Sequence, residues 1–281
     1  MVEVRPWLNI LTHVVLILGI GIVAFPIYVT FVASSHELEA LLQSPIPLIP
    51  GGEVLDNYVA ALTQGAKAVG APVWVMMLNS LVMALGIAFG KIAISIIAAF
   101  AIVYFRFRFR MTAFWMIFIT LMLPVEVRIL PTYKVVADLG MLDTYGGLII
   151  PLIASATATF MFRQVFMTVP DELAEAARID GAGPLRFFWD VLLPISRTNI
   201  AALFVILFIY GWNQYLWPLL ITTDENLYTV LIGINRMLAV GDDQAEWQIV
   251  MATTMLAMLP PVLVVVFMQR LFVKGLVETE K

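Results

Sequence analysis

Five polar residues lie within or beside long apolar runs of this sequence, and they are the first candidates for chemistry. They comprise two cations, one acid and two neighbouring amides: Lys91, Arg128, Glu126, Asn213 and Gln214. A cation in apolar surroundings attracts an anion, and a guanidinium is suited to a forked contact with phosphate. The alternatives are structural. In these alternatives Arg128 would pair with Glu126 and Lys91 would bridge to another helix. The two amides would either pack between helices or line a polar pathway.

Other chemistries find no support in the residue types present. The chain has no cysteine and only two histidines, so neither a disulfide framework nor a thiolate metal site is proposed. His36-Glu37 lacks the second histidine of a zinc-protease helix. The run from Gly86 to Lys91 is not a nucleotide-binding loop, because only three residues separate its glycines and Ile92 replaces the required Ser or Thr. We therefore expect no catalytic residues, no metal site and no cofactor bound by this chain.

The composition is that of a membrane protein. Of 281 residues, 62% are hydrophobic and 13% are charged, and the mean hydropathy is +0.96. A membrane-spanning helix needs about 20 apolar residues. Six runs fit this requirement: 9–33, 76–104, 112–130, 146–167, 199–221 and 249–271. The expected fold is one all-α polytopic transmembrane domain over 1–281.

Two of these runs carry features that predict local structure. Pro124 interrupts the third run near its end, and irregular backbone at such a depth is tolerated where it lines a cavity or is covered by protein. In the second run, Gly86 and Gly90 have the spacing that lets another helix backbone approach closely.

Lysine and arginine are distributed unevenly between the loops. Eleven of the sixteen fall on the side that holds both termini and residues 168–194, four fall on the other side, and Lys91 lies inside a run. By the positive-inside rule, the richer side is cytoplasmic. The first run exceeds the apolar core of a signal peptide and carries Pro26, so we expect it to stay uncleaved. The loop after it is predicted to be irregular apart from a short helix at 54–62.

Residues 168–194 form the one substantial polar stretch on the predicted cytoplasmic side. Asp171 and Glu172 after Pro170 favour a helix start, because proline loses nothing there and acids complement the helix dipole. Thr168 and Asp171 also have the spacing of a capping box. We therefore expect a surface helix to begin at this point.

The same stretch contains signals for the end of that helix and for a second one. Gly181 predicts a stop, and Gly183 with Pro184 predicts a second short helix that ends by Pro194. One stripe of the first helix consists of Leu173, Ala176, Ala177 and Asp180. Two alanines on this stripe would let the helix seat closely in a groove of another protein.

This stretch resembles the EAA loop of permease subunits in binding-protein-dependent ABC importers, and we name it the EAA segment (168–194). The pattern of that loop is Glu-Ala-Ala, three residues, Gly, nine residues and Ile-x-Leu-Pro. The matching positions are Glu175, Ala176, Ala177, Gly181, Val191, Leu193 and Pro194. Valine for isoleucine is the only departure. Further similarity to the second permease of carbohydrate-type importers lies at 106–109, 123–124, 142–145, 162–164 and 212–218.

The resemblance implies a type I importer permease in the bacterial inner membrane, without catalysis of its own. It implies a heterodimer with a related permease, two copies of an ATPase that bind ATP and Mg, and a periplasmic substrate-binding protein, with membrane lipid around the spans and no nucleic acid. In this scheme Glu175 pairs with a basic group of the ATPase, Ala176 and Ala177 allow close seating, and Gly181 makes the turn.

Within this family, residues 121–128 and 180–188 look closest to the branch that imports sn-glycerol 3-phosphate, with glycerophosphodiesters as further substrates. Sugar permeases of the family usually have uncharged residues where Lys91 and Arg128 stand, which fits an anionic substrate. The alternative is a permease for a neutral sugar or oligosaccharide. A self-sufficient secondary transporter would instead require acidic relay residues in its spans, and the first, fourth, fifth and sixth runs have no interior acid.

Overall fold

The computed structural model describes residues 6–240 and 245–277, and every regular element within them is a helix. The α-helices are α1 (Pro6–Ala33), α2 (Leu38–Leu41), α3 (Val54–Thr63), α4 (Val73–Tyr104), α5 (Arg110–Ile119), α6 (Val125–Asp138), α7 (Tyr145–Ile149), α8 (Ala156–Met167), α9 (Asp171–Ile179), α10 (Pro184–Phe187), α11 (Leu193–Trp212), α12 (Leu216–Ile221), α13 (Val230–Leu238) and α14 (Trp247–Val277). The predicted all-α fold is confirmed for this part of the chain.

Four of the described helices are long and apolar enough to cross a membrane. They are Trp7–Ala33, Val73–Tyr104, Pro184–Trp212 and Trp247–Leu271. The pair Tyr145–Leu152 and Ala156–Met167 is bent by 49° and adds a fifth if it counts as one span, whereas Arg110–Ile119 is shorter. The count of six spans therefore stays a prediction. So does the orientation of the termini, since residues 1–5 and 278–281 lie outside the described ranges.

The third predicted run, 112–130, is divided between two helices. The first, α5, ends at Ile119, a 3₁₀ turn covers Thr120–Met122, and Pro124 is the N-cap of α6. Proline has no N–H to donate and its φ of −56° suits the residue before a helix. The interruption predicted at Pro124 is therefore confirmed.

The fifth predicted run, 199–221, has different bounds. One apolar helix extends over Pro184–Trp212, and α12 is separate. The prediction that the second short helix ends by Pro194 is wrong, because a π-helical turn precedes this proline. In that turn the Leu193 N–H donates to the Phe188 carbonyl, one residue further back than in an α-helix. Pro194 then falls in the first turn of α11, where its missing N–H costs little.

The chain divides into two compact units. They consist of Met1–Trp74 with Gly233–Leu259, and of Val75–Ile232 with Pro260–Lys281. In the first unit α3 confirms the short helix predicted at 54–62. The Asn57 side chain donates to the carbonyls of Ser34 and His36, at 3.0 and 2.9 Å, which fixes the segment after α1.

The second unit is packed closely at its glycines. A Cβ on Gly90 would overlap the Ile153 side chain, at 2.9 Å from its Cβ, and a Cβ on Gly211 would lie 2.8 Å from the Ala84 Cα. A Cβ on Gly86 would likewise meet an isoleucine side chain. Gly86 and Gly90 therefore lie against isoleucine side chains and not against the helix backbone that was predicted there, and the close backbone contact of α4 is made by Ala84 with Gly211 of α11.

A polar contact joins the turn after α6 to the segment after α12. Asp143 adopts a left-handed φ of 51°, and its carboxylate accepts hydrogen bonds from the Thr223 hydroxyl and the Asp224 N–H. The Thr223 hydroxyl, followed by the Asp224 N–H, holds the pKa of this carboxyl below its ordinary value. Next to this turn, the buried Trp217 indole donates to the Gly147 carbonyl at 3.1 Å.

Candidate functional site: a cationic cavity and the EAA segment

Lys91 lies in the middle of α4 and only 7% of its surface is exposed. Its Nζ lies 3.7 Å from the centroid of the Tyr210 ring on α11, where the ring quadrupole attracts an ammonium. Among the described residues, Lys91 has no hydrogen-bond acceptor and no carboxylate partner. The bridge between helices that the sequence allowed for Lys91 is therefore a cation–π contact, and the ammonium protons stay available to an anion.

Arg128 lies near the start of α6, is exposed, and lines the same cavity as Lys91. This cavity, which we call the cationic cavity, has a volume of about 490 Å³, within the range of small-molecule sites. Its hydroxyl groups come from Thr120, Ser155, Thr157, Thr159 and Tyr210. None of the described residues that line it is acidic. Among the described lining residues the two cations meet no carboxylate, and this favours an anionic occupant because the buried charge of Lys91 is costly without a partner.

Glu126 belongs to the first turn of α6, but its side chain lies outside the described residues. The predicted pairing of Glu126 with Arg128 therefore stays a prediction.

A smaller cavity of about 110 Å³ shares Arg128 and Tyr210 with the cationic cavity and is also lined by Gln214. The Gln214 amide donates to the Tyr210 carbonyl at 3.1 Å. Asn213, in contrast, follows the last residue of α11, is exposed and lines neither cavity. The structure thus separates the two neighbouring amides, with Gln214 beside the cations and Asn213 away from them.

The start of α8 forms another part of the cationic cavity, which the sequence analysis missed. Ser155 is the N-cap, and its hydroxyl accepts a hydrogen bond from the Ala158 N–H at 3.2 Å. The Ser95 hydroxyl of α4 donates to the Ser155 carbonyl at 3.1 Å and holds this helix start in place. A serine directly before an apolar helical run was the available signal. The N-terminus of a helix has partial positive charge, so it adds to the two cations.

In the EAA segment, α9 begins where the sequence predicts. Pro170 is its N-cap, and Asp171 and Glu172 occupy the first turn. The predicted capping box is wrong, because the N-cap makes no side-chain hydrogen bond and the Thr168 hydroxyl donates backwards to the Val165 carbonyl at 2.7 Å. Thr168 instead belongs to the end of α8, where its hydroxyl satisfies one of the last carbonyls.

The turn of the EAA segment depends on Gly181. Its φ of +73° lies in the left-handed region, which glycine adopts without the cost that a Cβ brings. The N–H of Gly181 donates to the Arg178 carbonyl and that of Ala182 to the Ala177 carbonyl, at 3.0 and 2.8 Å. The predicted stop of the first helix is confirmed, and the chain re-enters a helix at Pro184.

The two alanines of the EAA motif face different surroundings. Ala177 is half-buried and lines a cavity of about 230 Å³ together with Tyr104 and Phe187 of the same unit. Glu175 and Ala176 are exposed. The exposed side of α9 that is free to meet another protein therefore includes Glu175 and Ala176, whereas Ala177 packs towards its own chain.

Comparison with known proteins identifies the family of this chain. The family described as "Binding-protein-dependent transport system inner membrane component" matches residues 91–278. The permease protein UgpE of the sn-glycerol-3-phosphate transport system is 62% identical in Brucella melitensis, 61% in Agrobacterium fabrum and 58% in Escherichia coli, over the full length of both chains.

Among solved structures, the chain is similar to one from a bacterial ABC transporter involved in the import of the acidic polysaccharide alginate. The TM-score is 0.82 at 20% identity, covering 96% of this chain and 98% of the other. This likeness establishes the fold of an ABC importer permease. On the matched residues and the full-length relatives together, the chain belongs to the family of inner membrane components of binding-protein-dependent transport systems.

Proposed function

We propose that this chain is the permease subunit through which an ABC importer moves sn-glycerol 3-phosphate into the cytoplasm, with glycerophosphodiesters as possible further cargo. The observation that carries the proposal is that Lys91 and Arg128 line one cavity, in which no described lining residue is acidic. A phosphate monoester is an anion that matches this charge. The full-length relatives at 58–62% identity support the same substrate.

The proposed assembly has four kinds of subunit. This chain pairs with a second, related permease, two identical ATPase subunits bind and hydrolyse ATP with Mg, and a periplasmic receptor delivers the substrate. The chain itself is non-catalytic, and both termini and the EAA segment face the cytoplasm. The excess of Lys and Arg on that side supports the orientation.

The EAA segment is proposed to connect the ATPase to the substrate pathway. Glu175 pairs with a basic group of the ATPase, Ala176 permits close contact, and Gly181 sets the turn. The helix over Pro184–Trp212 supports this role, since it includes Pro194 without a break and joins the segment to an apolar helix. ATP-driven closure of the ATPase needs to favour one permease state by only a few kcal/mol.

The proposed pathway uses the residues singled out in the sequence: Lys91, Glu126, Arg128, Asn213 and Gln214. The positions of Lys91, Arg128 and Gln214 at connected cavities support their part in it. Exposed Asn213 would contribute only in another state of the transporter, and the part of Glu126 rests on its place in α6.

The test is ATP-dependent uptake of labelled sn-glycerol 3-phosphate by proteoliposomes that contain the complete transporter and its receptor. Arg128→Ala is expected to reduce uptake, whereas Arg128→Lys, which keeps the charge, retains more of it. Glu175→Lys is expected to abolish receptor-stimulated ATP hydrolysis, and Glu172→Lys is the matched charge change on the same helix. Uptake of a neutral sugar in place of glycerol 3-phosphate by the wild type would establish the alternative substrate, and uptake without ATPase subunits would overturn the importer assignment.

A further inference from the structure

We propose that the N-terminus of α8 forms, with Lys91 and Arg128, a phosphate-binding site through which this subunit itself holds the substrate. The inference rests on the proposed function, because it assigns the phosphate group of glycerol 3-phosphate to a defined place in this chain. It adds a residue set, Ser155 to Thr157, that the charge pattern of the sequence does not contain.

Backbone N–H groups at the start of α8 form one part of the site. A helix leaves the N–H groups of its first turn without intrahelical acceptors. The Ala158 N–H donates to the Ser155 hydroxyl, and the Thr159 N–H donates to the Ser155 carbonyl at 3.1 Å. Among the described residues, the N–H groups of Ala156 and Thr157 are left without an acceptor, and both residues line the cationic cavity. Two adjacent N–H groups at a helix start are suited to phosphate oxygens.

Lys91 forms a second part of the site and is independent of the helix start. The Lys91 residue is only 7% exposed and lines the same cavity, and its ammonium has only an aromatic face as a partner among the described residues. A buried ammonium has three N–H donors, and the face of an aromatic ring does not replace a hydrogen-bond acceptor for any of them. An anion in the cavity would accept hydrogen bonds from these donors. Lys91 and the start of α8 therefore favour the same kind of ligand.

The remaining walls of the cavity fit the rest of the ligand. Arg128 is exposed and lines this cavity and the smaller one beside it, so its guanidinium can reach a phosphate from the open side. Thr120 and Thr159 add hydroxyl oxygens to the wall. Their protons are already donated to the Ile117 and Ser155 carbonyls, at 2.6 and 2.9 Å, so these oxygens can accept hydrogen bonds from the two hydroxyls of the glycerol group. The site therefore recognises a phosphate group that carries a small polar substituent.

Three sources could supply a phosphate group here: the transported substrate, free inorganic phosphate and a lipid headgroup. The hydroxyl-rich wall favours the substrate over a lipid, because acyl chains would gain nothing from Thr120 and Thr159. We therefore commit to the substrate as occupant, and the experiment separates the other two.

The experiment measures equilibrium binding of radiolabelled sn-glycerol 3-phosphate to the complete membrane complex, without receptor, in phosphatidylcholine nanodiscs. Ala156→Pro is the main variant, because proline removes one N–H and is tolerated at the first position of a helix. The preceding Ser155 already has the extended backbone that a following proline requires, with φ −145° and ψ 106°. Ala156→Gly is the matched control that keeps the N–H.

We expect Ala156→Pro to raise the Kd about tenfold, as for loss of one hydrogen bond to a charged group, and Ala156→Gly to change it less than twofold. Lys91→Gln is expected to raise the Kd by at least tenfold. Inorganic phosphate should compete with the label, and glycerol should not.

Several results would overturn the inference. One is wild-type affinity in Ala156→Pro, which would remove the start of α8 from the site whatever the result for Lys91→Gln. Another is displacement of the label by phosphatidic acid added to the nanodiscs, which would assign the site to lipid. A third is a wild-type complex that imports glycerol 3-phosphate with receptor but binds none without it. That last result leaves the proposed function intact, whereas absence of both uptake and binding would remove the proposed function itself.

Discussion

The cationic cavity and the EAA segment place charge in opposite settings. In the cavity, Lys91 is buried against an aromatic ring, where water screens its interactions weakly. On the EAA segment, Glu175 is exposed, and so is the ion pair of Arg186 with Asp190, whose side chains are 71% and 62% exposed. An exposed ion pair contributes about 0–1 kcal/mol. Within this chain, individual charges should therefore decide the stability and ligand binding of the cavity, whereas backbone shape should decide the stability of the EAA segment.

The largest expected effect comes from replacing the buried charge by an apolar side chain of similar length. Lys91→Met should reduce uptake of glycerol 3-phosphate by about 100-fold or more, since a lost buried charge contact costs about 2–5 kcal/mol in binding. The same change should leave thermal stability equal or higher, because it removes the desolvation penalty of the ammonium. Uptake and the thermal midpoint Tm of the complex are the two measurements.

Glu175→Met is the matched variant on the EAA segment. It should also impair uptake, through loss of contact with the ATPase, but leave Tm unchanged because an exposed carboxylate has no desolvation penalty to recover. A fall in Tm for Lys91→Met would show that the ammonium stabilises the fold, and the contrast between the two regions would then fail.

The next effect concerns glycines in the two regions. Gly90→Ala places a Cβ against the Ile153 side chain, two residues before the N-cap of α8, so we expect a loss of about 1–3 kcal/mol in stability. Gly183→Ala adds a Cβ with no atom within 4 Å and should cost less than about 0.5 kcal/mol. Chemical denaturation of the purified chains measures both. Equal losses would mean that the cavity wall is no more tightly packed than the EAA segment.

A smaller effect is expected at the turn of the EAA segment. In Gly181→Ala the added Cβ meets no other atom within 4 Å, but the backbone at this position is left-handed. We expect a loss of about 1–2 kcal/mol in stability for that reason. Gly181→Asn should recover part of this loss, because asparagine tolerates this conformation. Hydrogen exchange of the α9 amides in the assembled complex measures the difference. Equal protection in the alanine and asparagine variants would exclude backbone conformation as the reason for glycine here.

The smallest effect is expected for the exposed ion pair. Arg186→Ala removes the 3.2 Å contact to Asp190 and should change stability by less than about 0.5 kcal/mol, with little dependence on salt. Denaturation at low and high salt tests this expectation. A loss above 1 kcal/mol, suppressed by salt, would mean that charge matters on the EAA segment as much as in the cavity.

The EAA segment is the region that sequence predicts best, since its signals are local. Pro170, Asp171 and Gly181 each act on their own backbone, and α9 begins and ends as these residues indicate. The helix end predicted at Pro194 is wrong because a π-helical turn precedes this proline. No single residue type in the sequence predicts the wider hydrogen-bond spacing of such a turn. The helix continuing through it was therefore not predictable from the proline alone.

The cationic cavity is harder to predict because its walls come from separate parts of the chain. Lys91 and Arg128 could be singled out as charges in apolar runs, but their meeting in one cavity depends on how α4, α6 and α8 pack. Neither Tyr210 nor Thr157 is unusual in sequence, and only the packed structure gives them a place beside Lys91. The two neighbouring amides were equally hard to assign from sequence. Although they are adjacent at the end of α11, Gln214 lines a cavity and Asn213 is exposed.

The helix that carries Tyr210 connects the EAA segment to the cationic cavity. It begins at Pro184 in the EAA segment and continues without interruption to Trp212, so about 40 Å of rod at 1.5 Å per residue separates its first turn from the ring that covers Lys91. Beyond the π-helical turn at Phe188–Leu192, the α-helical part of this rod, Leu193–Trp212, transmits a push at one end as a displacement at the other. Unless α4 moves by the same amount, an axial shift of this helix moves the Tyr210 ring relative to the Lys91 ammonium. The affinity of Lys91 for an anion would then depend on the position of the helix.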